Sequence, residues 1–332
     1  MSDPVLLTLI VAAALLYDFV NGFHDAANAI ATTISTHALS PRNAIILART
    51  LNFVGAMMHT AVAYTIGKGI VASEMITMPM LLAGVVGAIL WGYFTWYFGL
   101  PSSSTHALVG GLAGVALFVS GFDFDILMMK GVRKIILAMI ISPLAGAALG
   151  VLTMIAFSWL VSGMRYTRSS RIFKKIQVVS AAFVALTHGM NDAQNAMGVI
   201  TIALLTAGSI KTFAIPFWVR LASAFVIGLG TSVGGWRIIK TMGRKMTSMH
   251  EPITGCAAET AAGTVILAAS LTGAPISTTQ VAASAIAGGA MAQRLGDVRW
   301  QVVRNILLAW IFTIPGAGLF AILSYLLVKA AF

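Results

Sequence analysis

The sequence predicts an all-α polytopic membrane protein: two inverted-topology repeats, each of five hydrophobic elements with a re-entrant helical hairpin. Three observations predict it. Hydrophobic residues make up 58% of the 332 and charged residues 9%, with mean hydropathy +0.92. A soluble domain carries about 25% charged residues, and no soluble core absorbs so much apolar surface. Ten apolar runs follow one another along the chain, and one motif occurs twice, 167 residues apart, as Gly22-Phe23-His24-Asp25-Ala26-Ala27-Asn28-Ala29-Ile30 and Gly189-Met190-Asn191-Asp192-Ala193-Gln194-Asn195-Ala196-Met197.

The first run, 5–34, contains the first motif; it has no basic n-region and follows acidic Asp3, so it is a span and not a cleavable signal peptide. Runs 43–66, 79–98, 102–120 and 132–163 complete a first repeat over 1–163, and 176–206, 213–235, 252–272, 276–292 and 302–331 make a second over 176–332. A crossing helix needs roughly 20 residues. The halves align at offsets of 167 to 174, with Arg49 on Arg220, Gly99-Leu100-Pro101 on Gly273-Ala274-Pro275, and Pro143 on Pro315. Five elements per half is an odd number, so the second copy enters the membrane from the opposite side and the repeats are inverted.

Charge sets the orientation. The linker 164–175 holds Arg165, Arg168, Arg171, Lys174 and Lys175, and positive charge stays in the cytoplasm. Counting alternately from there places thirteen basic residues inside and six outside (Lys68, Lys130, Arg133, Lys134, Lys211, Lys329), with Arg49 and Arg220 at span edges. Both termini are thus expected on the outer side of the cytoplasmic (inner) membrane. The net charge of +11 lies in these short clusters, with no folded polar domain to carry it, which excludes nucleic acid as a partner. The single Cys256 excludes an internal disulfide and, among Gly255, Ala257 and Ala258, is expected to be a small packing residue.

A carboxylate inside a span costs roughly 2.5–3.5 kcal/mol on insertion scales, so Asp25 and Asp192 in matched positions point to a shared internal site. Asn21, His24, Asp25 and Asn28 fall on one helical face, and His188, Asn191, Asp192 and Asn195 repeat it. Carboxylate and amide oxygens at this spacing suit a hard cation such as Na⁺, or, for the carboxylates alone, a proton. His24 and His188 are not at equivalent positions, which argues against a proton relay. Asp18 shares the face but aligns with Ala185 and is left out of the site. Glu259 aligns with Val85 and is either an extra cation or proton site or a structural partner for an Arg.

The second repeated motif is Gly99-Leu100-Pro101-Ser102-Ser103-Ser104-Thr105-His106, answered by Gly273-Ala274-Pro275-Ile276-Ser277-Thr278-Thr279-Gln280. Each lies between short apolar runs with almost no polar loop, as a re-entrant hairpin would. Pro ends one helix and starts the next, Ser and Thr cap exposed N–H groups, and a helix N-terminus of this kind attracts anions. Neither tip contains Lys or Arg, so a cation held by Asp25 and Asp192 would supply the charge that an oxyanion lacks there. Gly110-Gly111 and Gly288-Gly289 are expected at close helix contacts, and Glu74, Asp123, Asp125 and Asp297 in loops.

The paired G-x-[HN]-D-[AT]-x-N-A motifs and the paired Pro-Ser/Thr turns resemble the inorganic phosphate transporter (PiT) family over essentially the whole chain. The resemblance implies cation-driven import of inorganic phosphate. By position it implies that Ser103, Ser104, Thr105, Ser277, Thr278 and Thr279 coordinate phosphate, and that Asp25, Asn28, Asp192 and Asn195 form the cation and substrate site. Asp25 and Asp192 would be the metal ligands if the ion is Na⁺. Some members of the family carry sulfate, and coupling is to Na⁺ in some and H⁺ in others; no other cofactor is implied. The resemblance is compatible with a homodimer, and the basic cytoplasmic loops with a soluble regulator or anionic lipid. The family's large hydrophilic central loop is reduced here to about a dozen residues.

Two other classes are disfavoured. An intramembrane hydrolase using Ser104 or Thr105 with His106 would not replace the base by Gln280 in the second copy. A passive anion channel does not explain paired carboxylates. No nucleotide-binding motif is present, so an ion gradient is the expected energy source.

Overall fold

The computed structural model describes residues 4–72, 75–248 and 251–331, so Glu74 lies outside the described residues. All the expected apolar runs are helical. Helix α1 spans Pro4–Ser35; α2 (Pro41–Ala56) and α3 (Ala61–Gly69) follow; α4 (Met78–Phe98) and α5 (Ser104–Val119) form a hairpin; and α6 (Met129–Leu160) closes the first half. The second half runs α7 (Tyr166–Thr206), α8 (Phe217–Val233), α9 (Trp236–Lys240, continued by a π turn to Lys245), the hairpin α10 (Pro252–Leu271) and α11 (Thr278–Gln293), and α12 (Trp300–Ala331). Among the described residues, five helices are long and apolar enough to cross a membrane alone, and up to seven if each bent pair counts as one span.

The structure departs from the sequence reading at two spans and at the linker. The run 43–66 is broken: α2 and α3 meet at 70°, and α8 meets α9 at 59°. At the first break the Arg220 guanidinium donates to the Met57 carbonyl and the Gln194 side chain accepts from the Ala63 amide at 3.0 Å. Side chains thus replace the lost helical bonds, which is what makes non-helical backbone tolerable at depth. At the second break Gly234, at φ +71°, allows the turn. The linker is not a loop from Tyr166 onward. Arg165 is the residue before α7, and Arg168, Arg171, Lys174 and Lys175 lie in its first turns, because Ser, Arg and Lys without Gly or Pro sustain a helix.

The halves interlock. Helix α1 packs on α7 and α8, α2 on α7 and α8, α6 on the α10–α11 hairpin, and α12 on the α4–α5 hairpin. Glycine permits the closest crossings: Gly22 lies on the Ile227 carbonyl, Gly230 on that of Phe19, Gly55 on that of Leu186 and Gly189 on that of Asn52. Gly110, Gly111 and Gly288 likewise meet the backbone of Ile314, Gly84 and Ala147; Gly289 is looser, with Thr254 Cγ2 at 3.6 Å from where a Cβ would stand. Leu137, Ile140, Ile141 and Leu144 of α6 and Leu319, Leu323, Leu326 and Leu327 of α12 remain exposed, an apolar perimeter suited to hydrocarbon. Cys256 is fully buried; Asp123 and Asp125 are exposed, while Asp297 is half-buried and accepts from the Ser248 hydroxyl at 2.9 Å.

Candidate functional site

The C-terminal half of α1 and the middle of α7 are buried almost on every side, so their polar residues must find partners within the protein. Those partners are the first turns of α5 and α11. Each hairpin turns at a left-handed glycine, Gly99 or Gly273, then runs extended through the proline to a serine N-cap. Ser103 accepts from the His106 amide and Ser277 from the Gln280 amide, both at 3.1 Å. The next two hydroxyls of each hairpin are thereby aimed inward, and the two helix starts lie side by side, with Gln280 Nε2 3.5 Å from His106 Nδ1.

Each aspartate takes a hydroxyl from the hairpin of its own half: Ser104 donates to Asp25 Oδ2 at 3.1 Å, and Thr278 to Asp192 Oδ2 at 3.0 Å. Each asparagine reaches the other hairpin: Asn28 Nδ2 donates to Thr279 at 3.1 Å and Thr278 at 3.3 Å, and Asn195 Nδ2 to Thr105 at 2.9 Å. Thr279 also donates to Asp25 Oδ1 at 2.9 Å, so α1 is tied to both hairpins through one carboxylate. The sequence-derived set Asp25, Asn28, Asp192, Asn195, Ser104, Thr105, Thr278 and Thr279 therefore converges on one place, with Ser103 and Ser277 capping the helices that deliver it.

Histidine enters in a way the repeat comparison did not show. His188 Nε2 lies 3.2 Å from Asp192 Oδ2, and its Nδ1 lies 3.1 Å from Asn52 Oδ1. Ligand atoms of Asp25, His188 and Asp192 all fall within 4.8 Å of one another, a group able to hold a cation. The spacing of His188 and Asp192, four apart on one helix, was the available signal. His24 is a different case: its Nδ1 lies 2.7 Å from Asp25 Oδ1 and its Nε2 3.2 Å from Thr95 Oγ1, which orients the carboxylate.

The oxygens Asp192 Oδ1, Asn28 Oδ1 and Asn195 Oδ1 have no hydrogen-bond partner although buried. Together with the Asp25 carboxylate they offer the hard oxygen ligands that a small monovalent cation takes. By helix geometry the first amides of α5 and α11 lack intrahelical acceptors, and the hydroxyls of those same turns already reach this cluster.

Glu259, on α10, lies apart from this cluster and faces Thr32 and Thr33, one turn beyond Asn28 on α1. Its carboxylate accepts from Thr32 at 2.5 Å, Thr33 at 2.7 Å, Gln177 at 3.0 Å and Ser180 at 2.5 Å. These four neutral donors stand where an arginine partner was one of the expectations. Ser104 and Thr105 bond to Asp25 and Asn195, not to His106, so no nucleophile–base pair is assembled.

The comparisons with known proteins agree with this geometry. The profile of the phosphate transporter family matches residues 21–321. A probable low-affinity inorganic phosphate transporter of Bacillus subtilis (strain 168) is 43% identical, over 99% of this chain and 98% of its own. One described in the same words from Rhizobium meliloti (strain 1021) is 41% identical over 96% of each. A solved structure described as the sodium-dependent phosphate transporter superposes with a TM-score of 0.87 at 25% identity, covering 99% of this chain and 100% of that one. These relatives are transporters, and the hydrolase alternative falls with them. A multi-pass helical chain with two carboxylates bridged to two hydroxyl-bearing hairpins, matched by that profile along most of its length, belongs to the phosphate transporter family.

Proposed function

We propose that this protein imports inorganic phosphate across the cytoplasmic membrane by symport with Na⁺ or H⁺. The two repeats are inverted, the hairpins are re-entrant, and the shared site between them is exposed alternately to the two sides. The observation that carries the proposal is the bonding of Asp25 and Asp192 to hydroxyls of the hairpin in their own half, with Asn28 and Asn195 reaching across to the opposite hairpin. Phosphate oxygens would take the hydroxyls of Ser104, Thr105, Thr278 and Thr279 and the free amides of the helix starts. The carboxylates so released would face a co-bound cation, and neither ligand is then paired without the other. That mutual dependence is the physical content of coupling.

Three further features support the reading. Thr65 donates to the Gly273 carbonyl at 2.7 Å and Thr241 to the Gly99 carbonyl at 2.9 Å, so each broken helix braces the hairpin of the opposite half in the same manner, as inverted repeats would. Exposed Trp159, Tyr166, Trp236 and Trp300 stand beside the basic segments assigned to the cytoplasm, as an interfacial aromatic belt does. The solved neighbour is described as sodium-dependent, which makes Na⁺ the first ion to test. Glu259, with its ring of neutral donors, is the candidate for an additional cation position on the route to the centre.

The test is Asp25→Asn and Asp192→Asn, made separately and assayed for phosphate uptake in proteoliposomes with an imposed cation gradient. Each variant is expected to insert and to lose gradient-driven uptake. Full uptake by either would remove its carboxylate from the coupling site.

A further inference from the structure

Asp18 lies on α1, nearly two turns before Asp25, and is fully buried. It is the one carboxylate of the membrane-embedded region with both oxygens unpartnered, among the described residues. Asn21, one turn on, has neither its oxygen nor its nitrogen bonded. The Ser223 hydroxyl of α8 is the neighbouring donor to Asp18 across the helix crossing, though it stands outside hydrogen-bonding geometry with it. Asp18 and Asn21, three apart on one face of α1, and Ser223 of the packed helix α8 are thus all left short of partners, in a family of helix contacts otherwise so close that glycines are required.

The aligned position in the second half is built differently. At the offsets that relate the halves, Asn21 corresponds to His188 and Ser223 to Asn52, and those two bond each other at 3.1 Å, with Asn52 also donating to Thr231 at 2.9 Å. Asp18 corresponds to Ala185. The second half has a satisfied pair and no charge, whereas the first half has an added carboxylate and nothing satisfied. A buried carboxylate with no partner is costly, by several kcal/mol in real proteins, so the arrangement calls for a ligand. A proton would satisfy one carboxylate oxygen and leave the other polar atoms as they are. A small cation would engage the carboxylate, the Asn21 Oδ1 and the Ser223 Oγ together. One negative charge among neutral oxygens balances a monovalent ion and not a divalent one.

We propose that Asp18, Asn21 and Ser223 form a second monovalent-cation site in the α1–α8 crossing, distinct from the group of Asp25, His188 and Asp192. Asp18 and Asn21 precede Asp25 on the same helix, so an ion held here lies along α1 from the central site. Binding at this position stands independently of the symport reading; its use in transport rests on that reading.

The experiment is equilibrium binding of ²²Na⁺ to the purified full-length protein in detergent, without phosphate, for the wild type, Asp18→Asn, Ser223→Ala, Asn21→Ala and Asp25→Asn. Asp18→Asn is expected to bind one Na⁺ fewer per chain than the wild type. Ser223→Ala and Asn21→Ala, which keep the carboxylate, are expected to need several-fold more Na⁺ for half-saturation of that ion. If Asp18→Asn does not fold, these two variants decide the matter alone. An unchanged Na⁺ count in Asp18→Asn, or unchanged half-saturation in both neutral variants, overturns the site. Loss of Na⁺ in Asp25→Asn alone would overturn this proposal while leaving the central site standing.

Discussion

Gly189 sits against α2 at the point where α7 carries its site residues, one position after His188 and three before Asp192. A Cβ built there would stand 2.6 Å from Asn52 Cα and 2.7 Å from its carbonyl carbon, whereas ordinary contact begins near 3.4 Å. The Asn52 carbonyl oxygen would be closer still, so Gly189→Ala forces α2 and α7 apart by about 1 Å, since the opposing groups are backbone and cannot rotate away. The bond between His188 Nδ1 and Asn52 Oδ1, now 3.1 Å, would be stretched beyond hydrogen-bonding range. Overpacking of this kind costs about 1–3 kcal/mol, and the lost bond adds about 1 kcal/mol. If that penalty falls on the state with an assembled site, uptake should drop by about tenfold or more. The assay is initial phosphate uptake in proteoliposomes, normalised to inserted protein, with Gly289→Ala as the control because its nearest neighbour would be 3.6 Å away. Wild-type uptake by Gly189→Ala, or equal damage in Gly289→Ala, would refute the reasoning.

Three more predictions concern other parts of the structure. Ser104→Ala and Thr278→Ala each remove one hydroxyl bound to a site carboxylate and should raise the phosphate concentration for half-maximal uptake several-fold with insertion intact; unchanged values in both would move the anion site away from the hairpin starts. Thr241→Val and Thr65→Val each remove a donor worth about 1 kcal/mol, so each should speed amide exchange about fivefold in its own turn, 99–103 or 273–277, and not in the other; loosening of both turns by one variant contradicts the mirrored bracing. Glu259→Ala strands four buried donors and should lower the thermal unfolding midpoint in detergent, with Glu259→Gln recovering part of the loss; identical midpoints for Glu259→Ala and the wild type would show that the cluster does not support the fold.

Most of the architecture was legible because a bilayer demands long apolar helices and tolerates few polar residues, so each run and each buried Asp stands out against its background. That each Pro-Ser/Thr segment would break the helix and cap the next one was readable from local turn chemistry; that the breaks fall at left-handed Gly99 and Gly273 and the caps on Ser103 and Ser277 came from the structure. The break after Ala56 was not legible: Met57-Met58-His59-Thr60 holds neither Gly nor Pro, and the bend depends on Arg220 and Gln194 arriving from the other half. The break at Gly234-Gly235 did carry its signal, in two adjacent glycines. In the site, the shared face of Asp192 and Asn195 was readable from helical spacing. Which hairpin hydroxyl each would meet depends on tertiary packing, as in the bond from Asn195 to Thr105. Both His188 and Asp18 were visible on the polar helical faces, but comparing the repeats by alignment argued against giving them a role, because both depart from the symmetry that made Asp25 and Asp192 stand out.

The most direct test of the central claim is uptake of ³²P-phosphate into proteoliposomes containing the purified protein, under an imposed Na⁺ or H⁺ gradient and with excess unlabelled arsenate or sulfate. The account predicts uptake that requires one of the two gradients and is blocked by arsenate but not by sulfate. Phosphate uptake that ignores both gradients would contradict the coupling, and uptake of labelled sulfate in place of phosphate would contradict the substrate.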